Sequence, residues 1–326
     1  MPKYVQFSEH GGPEVLNLVD TPKPEPREGE VRIRIVAAGL NYIDTYHRTG
    51  YYPVSSLPSG IGVEGAGVID AIGPGVQGWT KGRRVAFVHT SPGTYAEYRT
   101  IPADRIVALP DDIEFDVAAG MMLKGMTARY LLRQTYPVSA GETILVHAAA
   151  GGVGLILCQW AAYLGATVIG TVGSQEKAEL ARANGCHHPV LYREENVIDR
   201  VREITGGDGV AVVYDSVGKD TFEASMQCLR PRGLLVSFGQ SSGAITAFDP
   251  VLLSRNGSLF MTRPTLFHYI AAREELEENS RELFSVVQGG NVKIPVMQRY
   301  HLDEASEAHR ALEARETTGS TVFVID

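Results

Sequence analysis

The run Val31-Arg32-Ile33-Arg34-Ile35-Val36 alternates apolar with polar side chains, a period of two that predicts a strand with one face in a core. Similar short strands are predicted around Gly67-Val68-Ile69, Arg84–Val88 and Tyr95–Tyr98, with turn signals such as Gly73-Pro74-Gly75 between them. The first third of the chain therefore reads as an antiparallel, barrel-like domain. From about residue 125 the rhythm changes to apolar runs alternating with helical stretches, the sign of a parallel sheet wound through right-handed crossovers. Strands are expected at Thr143–His147, Ala166–Val172, Pro189–Tyr192, Gly209–Asp215, Gly233–Gly239 and Ser258–Thr262. Six such strands suit a complete doubly wound dinucleotide fold. Two further helical patterns, Arg273–Gln288 and Asp303–Glu316, lead to the apolar strand Thr321–Ile325, which is expected to return to the first domain.

At 326 residues the chain exceeds one ordinary core, so two domains are expected. Hydrophobic residues make up 44% and charged residues 21%, as in soluble proteins. Met1–Phe7 carries neither an apolar signal core nor a cleavage site, and no run approaches the roughly 18 apolar residues of a spanning helix, which predicts a cytoplasmic chain without a membrane partner. A formal charge of −8 disfavours nucleic acid, and any anion site must be local. Cys158, Cys186 and Cys228 form no C-x-x-C pair, so they read as buried thiols and not as a disulfide framework or zinc site.

Thr143–His147 runs into Ala148-Ala149-Ala150-Gly151-Gly152-Val153-Gly154 and then a helical stretch, Leu155–Leu164. With Ala149 at the first position, the spacing A-x-G-x-x-G puts Gly151 where backbone approaches a pyrophosphate and Gly154 where helix and strand pack closely. The N–H groups of the helix start, at Gly151, Gly152 and Val153, then face the phosphates. NAD-binding versions place a carboxylate at the end of the second strand, about 20 residues further on. Here that strand ends in Gly173-Ser174, with Lys177 three residues later, a pairing that suits the 2′-phosphate of NADPH. The competing reading makes Ser174 a helix N-cap and Lys177 a solvated charge.

His147–Gly154, Leu40–Tyr46, Leu123–Ala128 and Tyr214–Gly218 together resemble the zinc-free medium-chain dehydrogenases/reductases, specifically the NADPH:quinone oxidoreductases related to zeta-crystallin. The resemblance runs nearly end to end. It implies an α/β chain in which a Rossmann doubly wound parallel sheet, residues 125–263, interrupts a GroES-like β-rich barrel domain, residues 1–124 plus 264–326, with NADPH in the cleft between them. It further implies an adenosine-phosphate grip by Lys177, Tyr192 and Arg315, and cofactor contacts from Ser216, from Phe238-Gly239-Gln240-Ser241 and from Arg263. Asn41, Lys124 and Thr127 join these contacts, and Asn41, Tyr46 and Thr127 are expected to face the nicotinamide and the acceptor.

Zinc alcohol dehydrogenases of this architecture use an early cysteine and a histidine beside a glutamate. Here Asn41 and Val63 stand at those positions, leaving Glu64 alone, and His47, His89, His187 and His188 read as surface or turn residues, so no metal is expected. Without a Lewis acid, a quinone is the expected acceptor, because its ring disperses the incoming charge and aromatises. Two alternatives stay open: reduction of α,β-unsaturated carbonyls, and a crystallin-like or RNA-binding protein that keeps a cofactor fold. The apolar sixth strand, Ser258–Thr262, would be covered by pairing across a two-fold axis in a homodimer.

Overall fold

The alternation beginning at Val31 belongs to an eleven-residue strand, Glu30–Leu40, in a computed structural model that describes residues 1–325. Val31, Ile33 and Ile35 are fully buried, as a period of two requires. Glu64–Ile72 pairs along one edge of this strand, while Tyr98–Pro102 takes the first half of the other edge and Ser320–Val324 the second, all antiparallel. Bulges between Arg32 and Ile33 and between Ile35 and Ala37 bend it. Arg84–Val88, Ile106–Ala108 and Val296–Tyr300 complete a seven-stranded sheet, and Asn17–Asp20, Lys3–Phe7 and Ser59–Gly60 form a smaller one. Phe7, Phe87, Tyr95 and Phe323 fill the core between these strands. The unit comprises Met1–Met126, Ile270–Gln288 and the chain from Ile294 onward.

The strand expected at Tyr95–Tyr98 starts at Tyr98 instead. The Tyr95 carbonyl accepts from Val5 N–H and Ala96 bridges to Tyr4, so these residues serve the smaller sheet. The pattern over Asp303–Glu316 resolves into a 3-10 turn, Leu302–Glu304, and a helix, Ala305–Glu313. Arg315 follows in the left-handed region at φ 61°, a common way for a helix to end.

The second unit, Thr127–Tyr269 with Gly289–Lys293, holds six parallel strands. Along the sheet they run His188–Leu191, Thr167–Val172, Thr143–Val146, Val210–Asp215, Leu229–Ser237 and Phe260–Thr262. This is the doubly wound order, and its direction reverses between Thr143–Val146 and Val210–Asp215. All of Val210–Asp215 is buried, as expected for a strand covered on both faces. Leu145, Ile169, Val213, Met226 and Leu235 share the core. Among the described residues no helix is long and apolar enough to cross a membrane.

Candidate functional site

In the second unit the strand Thr143–Val146 delivers the chain to a sharp turn. Ala148 sits at φ 53°, a left-handed conformation that costs a non-glycine residue about 1–2 kcal/mol. Its carbonyl accepts from Gly151 N–H at 2.9 Å, and Gly151 then starts the helix Gly152–Tyr163. No side chain among the described residues caps that helix, so its first-turn N–H donors remain for an anion. At Gly154 an added Cβ would lie 2.2 Å from the Ala148 oxygen, so helix and turn meet there without room for a side chain.

Thr167–Val172 ends beside the start of helix Gln175–Ala183, where Ser174 Oγ accepts from Lys177 N–H at 3.4 Å. Ser174 is thus an N-cap, and Lys177 lies in the first turn. The Tyr192 hydroxyl lies over Gly173, 2.8 Å from where a Cβ would stand, so the structure brings Ser174, Lys177 and Tyr192 together. Glu176, which carries no distinguishing signal in the sequence, also joins them: its carboxylate accepts from Ser174 Oγ at 3.1 Å.

At the ends of the fourth and fifth strands, Phe238 and Gly239 N–H donate to the Asp215 carbonyl and Ser241 N–H to the Ser216 carbonyl. Arg263 donates to the Ser237 and Gly239 carbonyls at 2.8 and 2.9 Å and to Gln240 Oε1 at 3.3 Å. Ser216, Phe238, Gly239, Gln240, Ser241 and Arg263 therefore form one loop cluster. Beneath it the Asp215 carboxylate accepts from Val217 N–H, Gly218 N–H, Thr221 Oγ1 and Ser225 Oγ. His147 lies between Thr171 Oγ1, 2.9 Å from Nδ1, and Ser225 Oγ, 3.0 Å from Nε2. Burial lowers the His147 pKa, against the pull of Asp215.

In the first unit Asn41 caps the helix Tyr42–Arg48 and donates from Nδ2 to Glu64 Oε1 at 2.7 Å. Lys124 Nζ reaches the same oxygen at 2.8 Å, and Leu123 N–H donates to Glu64 Oε2 at 2.6 Å. Glu64 is therefore fully paired and buried. Thr127, also buried, stands on the same helix Met122–Tyr130 and is the first residue of the second unit. Asp44 Oδ2 accepts from both Asn41 N–H and Tyr95 Oη, and burial lifts its carboxyl to about 7. Behind Tyr95 stand His309 and Arg48, and Arg48 makes a bidentate pair with Glu313. Burial, then Arg48, push His309 down to about 3.

Tyr46 packs edge-on against Tyr51 and Tyr52, at 5.7 and 5.2 Å between ring centroids. His47 is buried against Tyr52, which corrects its reading as a surface residue: the short helix turns it inward. Arg315 belongs to this unit, two residues beyond Glu313. Among the described residues no three His, Cys, Asp or Glu side chains form a metal-ligating group.

Two family models match the chain: the alcohol dehydrogenase GroES-like domain over residues 27–111 and the zinc-binding dehydrogenase over residues 152–285. With the doubly wound sheet and its glycine turn, they define a medium-chain dehydrogenase/reductase. A quinone oxidoreductase of Pseudomonas aeruginosa is 52% identical over 99% of this chain and 100% of its own. The structure of the Escherichia coli quinone oxidoreductase complexed with NADPH superposes with a TM-score of 0.97 at 49% identity, covering 99% of this chain and 100% of that one. A 2-haloacrylate reductase from a Burkholderia species is 46% identical over 96% of both chains. The chain belongs to the quinone oxidoreductase family.

Proposed function

We propose that this chain is a zinc-free NADPH:quinone oxidoreductase, passing a hydride or electrons from NADPH to a quinone. The observation that carries this reading is an uncapped glycine turn followed by the Ser174–Lys177 cap, in a chain 49% identical over nearly its full length to a protein solved with NADPH. The turn fits a dinucleotide: Gly151 has only the Ala148 oxygen, at 3.2 Å, near the place of a Cβ, and leaves its backbone approachable. Gly151, Gly152 and Val153 would hold the pyrophosphate. Ser174, Lys177, Tyr192 and Arg315 would grip the 2′-phosphate, whose charge Lys177 and Arg315 match. Ser216, Phe238, Gly239, Gln240, Ser241 and Arg263 would line the remainder, with Asn41, Lys124 and Thr127 at the nicotinamide.

Bound NADPH supplies the reducing equivalents. The chain's own part is to orient the acceptor through Asn41 and Tyr46 and to stabilise the charge that develops on it. Asn41 Nδ2 is fixed by Glu64, and the Lys124 ammonium on the same carboxylate keeps that corner near neutrality. The relative named 2-haloacrylate reductase supports a second reading, reduction of α,β-unsaturated carbonyl compounds on the same residues. The reading also includes a cytoplasmic homodimer, supported by the edge strand Phe260–Thr262, where Phe260 is 62% exposed. Fluorescence titration with NADPH and NADH, followed by stopped-flow oxidation of bound NADPH, tests the activity. Rapid oxidation by a simple quinone supports the first reading, oxidation by an enone alone favours the second, and no binding of either nucleotide refutes both.

A further inference from the structure

The proton positions in the chain Thr171–His147–Ser225–Asp215 follow from its partners. The Ser225 hydroxyl donates its single proton to Asp215 Oδ2 at 2.8 Å, so toward His147 Nε2, 3.0 Å away, it can only accept. Nε2 therefore carries the ring proton. His147 is buried, and burial favours the neutral ring, which leaves Nδ1 to accept from the Thr171 hydroxyl at 2.9 Å. Thr171 Oγ1 in turn accepts from Ala148 N–H at 3.3 Å. The chain thus begins at the strained residue of the glycine turn. It ends on the carboxylate that holds Val217 and Gly218 N–H, at 2.8 and 3.0 Å.

These four residues lie at the carboxyl ends of three adjacent strands or on the helix Phe222–Cys228, on either side of the reversal in strand order. That reversal is where doubly wound sheets bind their ligands. A left-handed alanine persists only where its surroundings over-determine it, and here one determinant is a hydroxyl oriented by His147. We infer that Thr171, His147 and Ser225 are positioning residues for the dinucleotide: they lock the phosphate turn at Ala148 to the Ser216–Gly218 loop, so that both present their backbone in one fixed relation. The inference rests on the reading of Ala148–Gly154 as the pyrophosphate site.

The test compares Thr171→Val, Thr171→Ser, Ser225→Ala and the Thr171→Val/Ser225→Ala double variant with the parent, measuring NADPH Kd by fluorescence titration and Tm by calorimetry. Thr171→Val and Ser225→Ala each raise Kd about tenfold, Thr171→Ser restores the parent value, and the double variant is no weaker than the worse single, because both changes break one chain. Folded variants with lowered Tm and parental Kd would reduce the chain to a structural role and overturn the inference. If the parent itself binds no NADPH, the cofactor reading fails instead. Nitrogen-15 NMR of the unaltered protein supplies a readout that does not depend on variants folding: a His147 proton on Nδ1 in place of Nε2 would overturn the chain's direction.

Discussion

Lys124 Nζ lies 2.8 Å from Glu64 Oε1, with the carboxylate fully buried and the lysine side chain 7% exposed. Such a pair offsets the cost of desolvating each charge only while both partners are present. Lys124→Met leaves Glu64 with Asn41 Nδ2 and Leu123 N–H but no counter-charge, and is expected to cost about 3–5 kcal/mol in urea unfolding. Adding Glu64→Gln should recover part of that loss. A Lys124→Met protein as stable as its parent would contradict an ionised pair.

Lys177, in the first turn after the Ser174 cap, is the residue of the second unit proposed to favour NADPH over NADH. Lys177→Glu replaces attraction to a 2′-phosphate by repulsion, and it adds a carboxylate near Glu176, which Ser174 already binds. The ratio of kcat/KM for NADPH to that for NADH is expected to fall by about 10–100-fold, the scale of a charge-assisted hydrogen bond. An unchanged ratio would remove Lys177 from the phosphate site.

The Asp44 carboxyl is lifted from 3.8 to about 7 by burial first, with Glu64 adding to the rise and Asn41 N–H, Tyr95 and Lys124 opposing it. A folded pKa above the unfolded one means that the folded chain keeps a proton the unfolded chain has already released. This group's contribution to stability therefore falls as pH rises from about 4 to about 7 and is flat above that. Asn41 N–H and Tyr95 Oη share Oδ2, so the amide oxygen of Asp44→Asn can accept both. The stability of Asp44→Asn relative to the parent should rise between about pH 4 and about pH 7 and level off above that. A difference that stays constant with pH would mean that Asp44 does not retain its proton.

The sheet of the second unit was legible because buried parallel strands are written as continuous apolar runs, and the glycine turn because its close helix–strand packing is set by contiguous residues. The cluster at Glu64 was not, since its partners Asn41 and Lys124 stand 23 and 60 residues away and only the fold unites them. The same holds for His147, visible beside the turn but given its role by Ser225, 78 residues on. Tyr95 looked like the start of a strand by composition, yet its carbonyl is taken by Val5 at the other end of the domain's sequence. His47 looked like surface because it is polar, and nothing local signals that a seven-residue helix would turn it inward.

Two glycines of the same turn are expected to fail in different ways. At Gly154 a Cβ would lie 2.2 Å from the Ala148 oxygen and 2.9 Å from Ala149 backbone atoms, none of which belongs to a flexible side chain. Gly154→Ala must push the helix away from the turn, so it should lower stability by about 1–3 kcal/mol before any ligand is added. At Gly151 the nearest atom is the Ala148 oxygen at 3.2 Å, and the backbone is extended, at φ −79° and ψ 173°, so the free protein can accept a methyl group. If the pyrophosphate lies where proposed, Gly151→Ala hinders its close approach to the helix start, which should appear as a raised Kd for NADPH with nearly parental Tm. Calorimetry and titration on both variants separate the two roles. If Gly151→Ala bound NADPH like the parent, the ligand would not approach the backbone at that residue, and the pyrophosphate would have to be sought at another part of the turn.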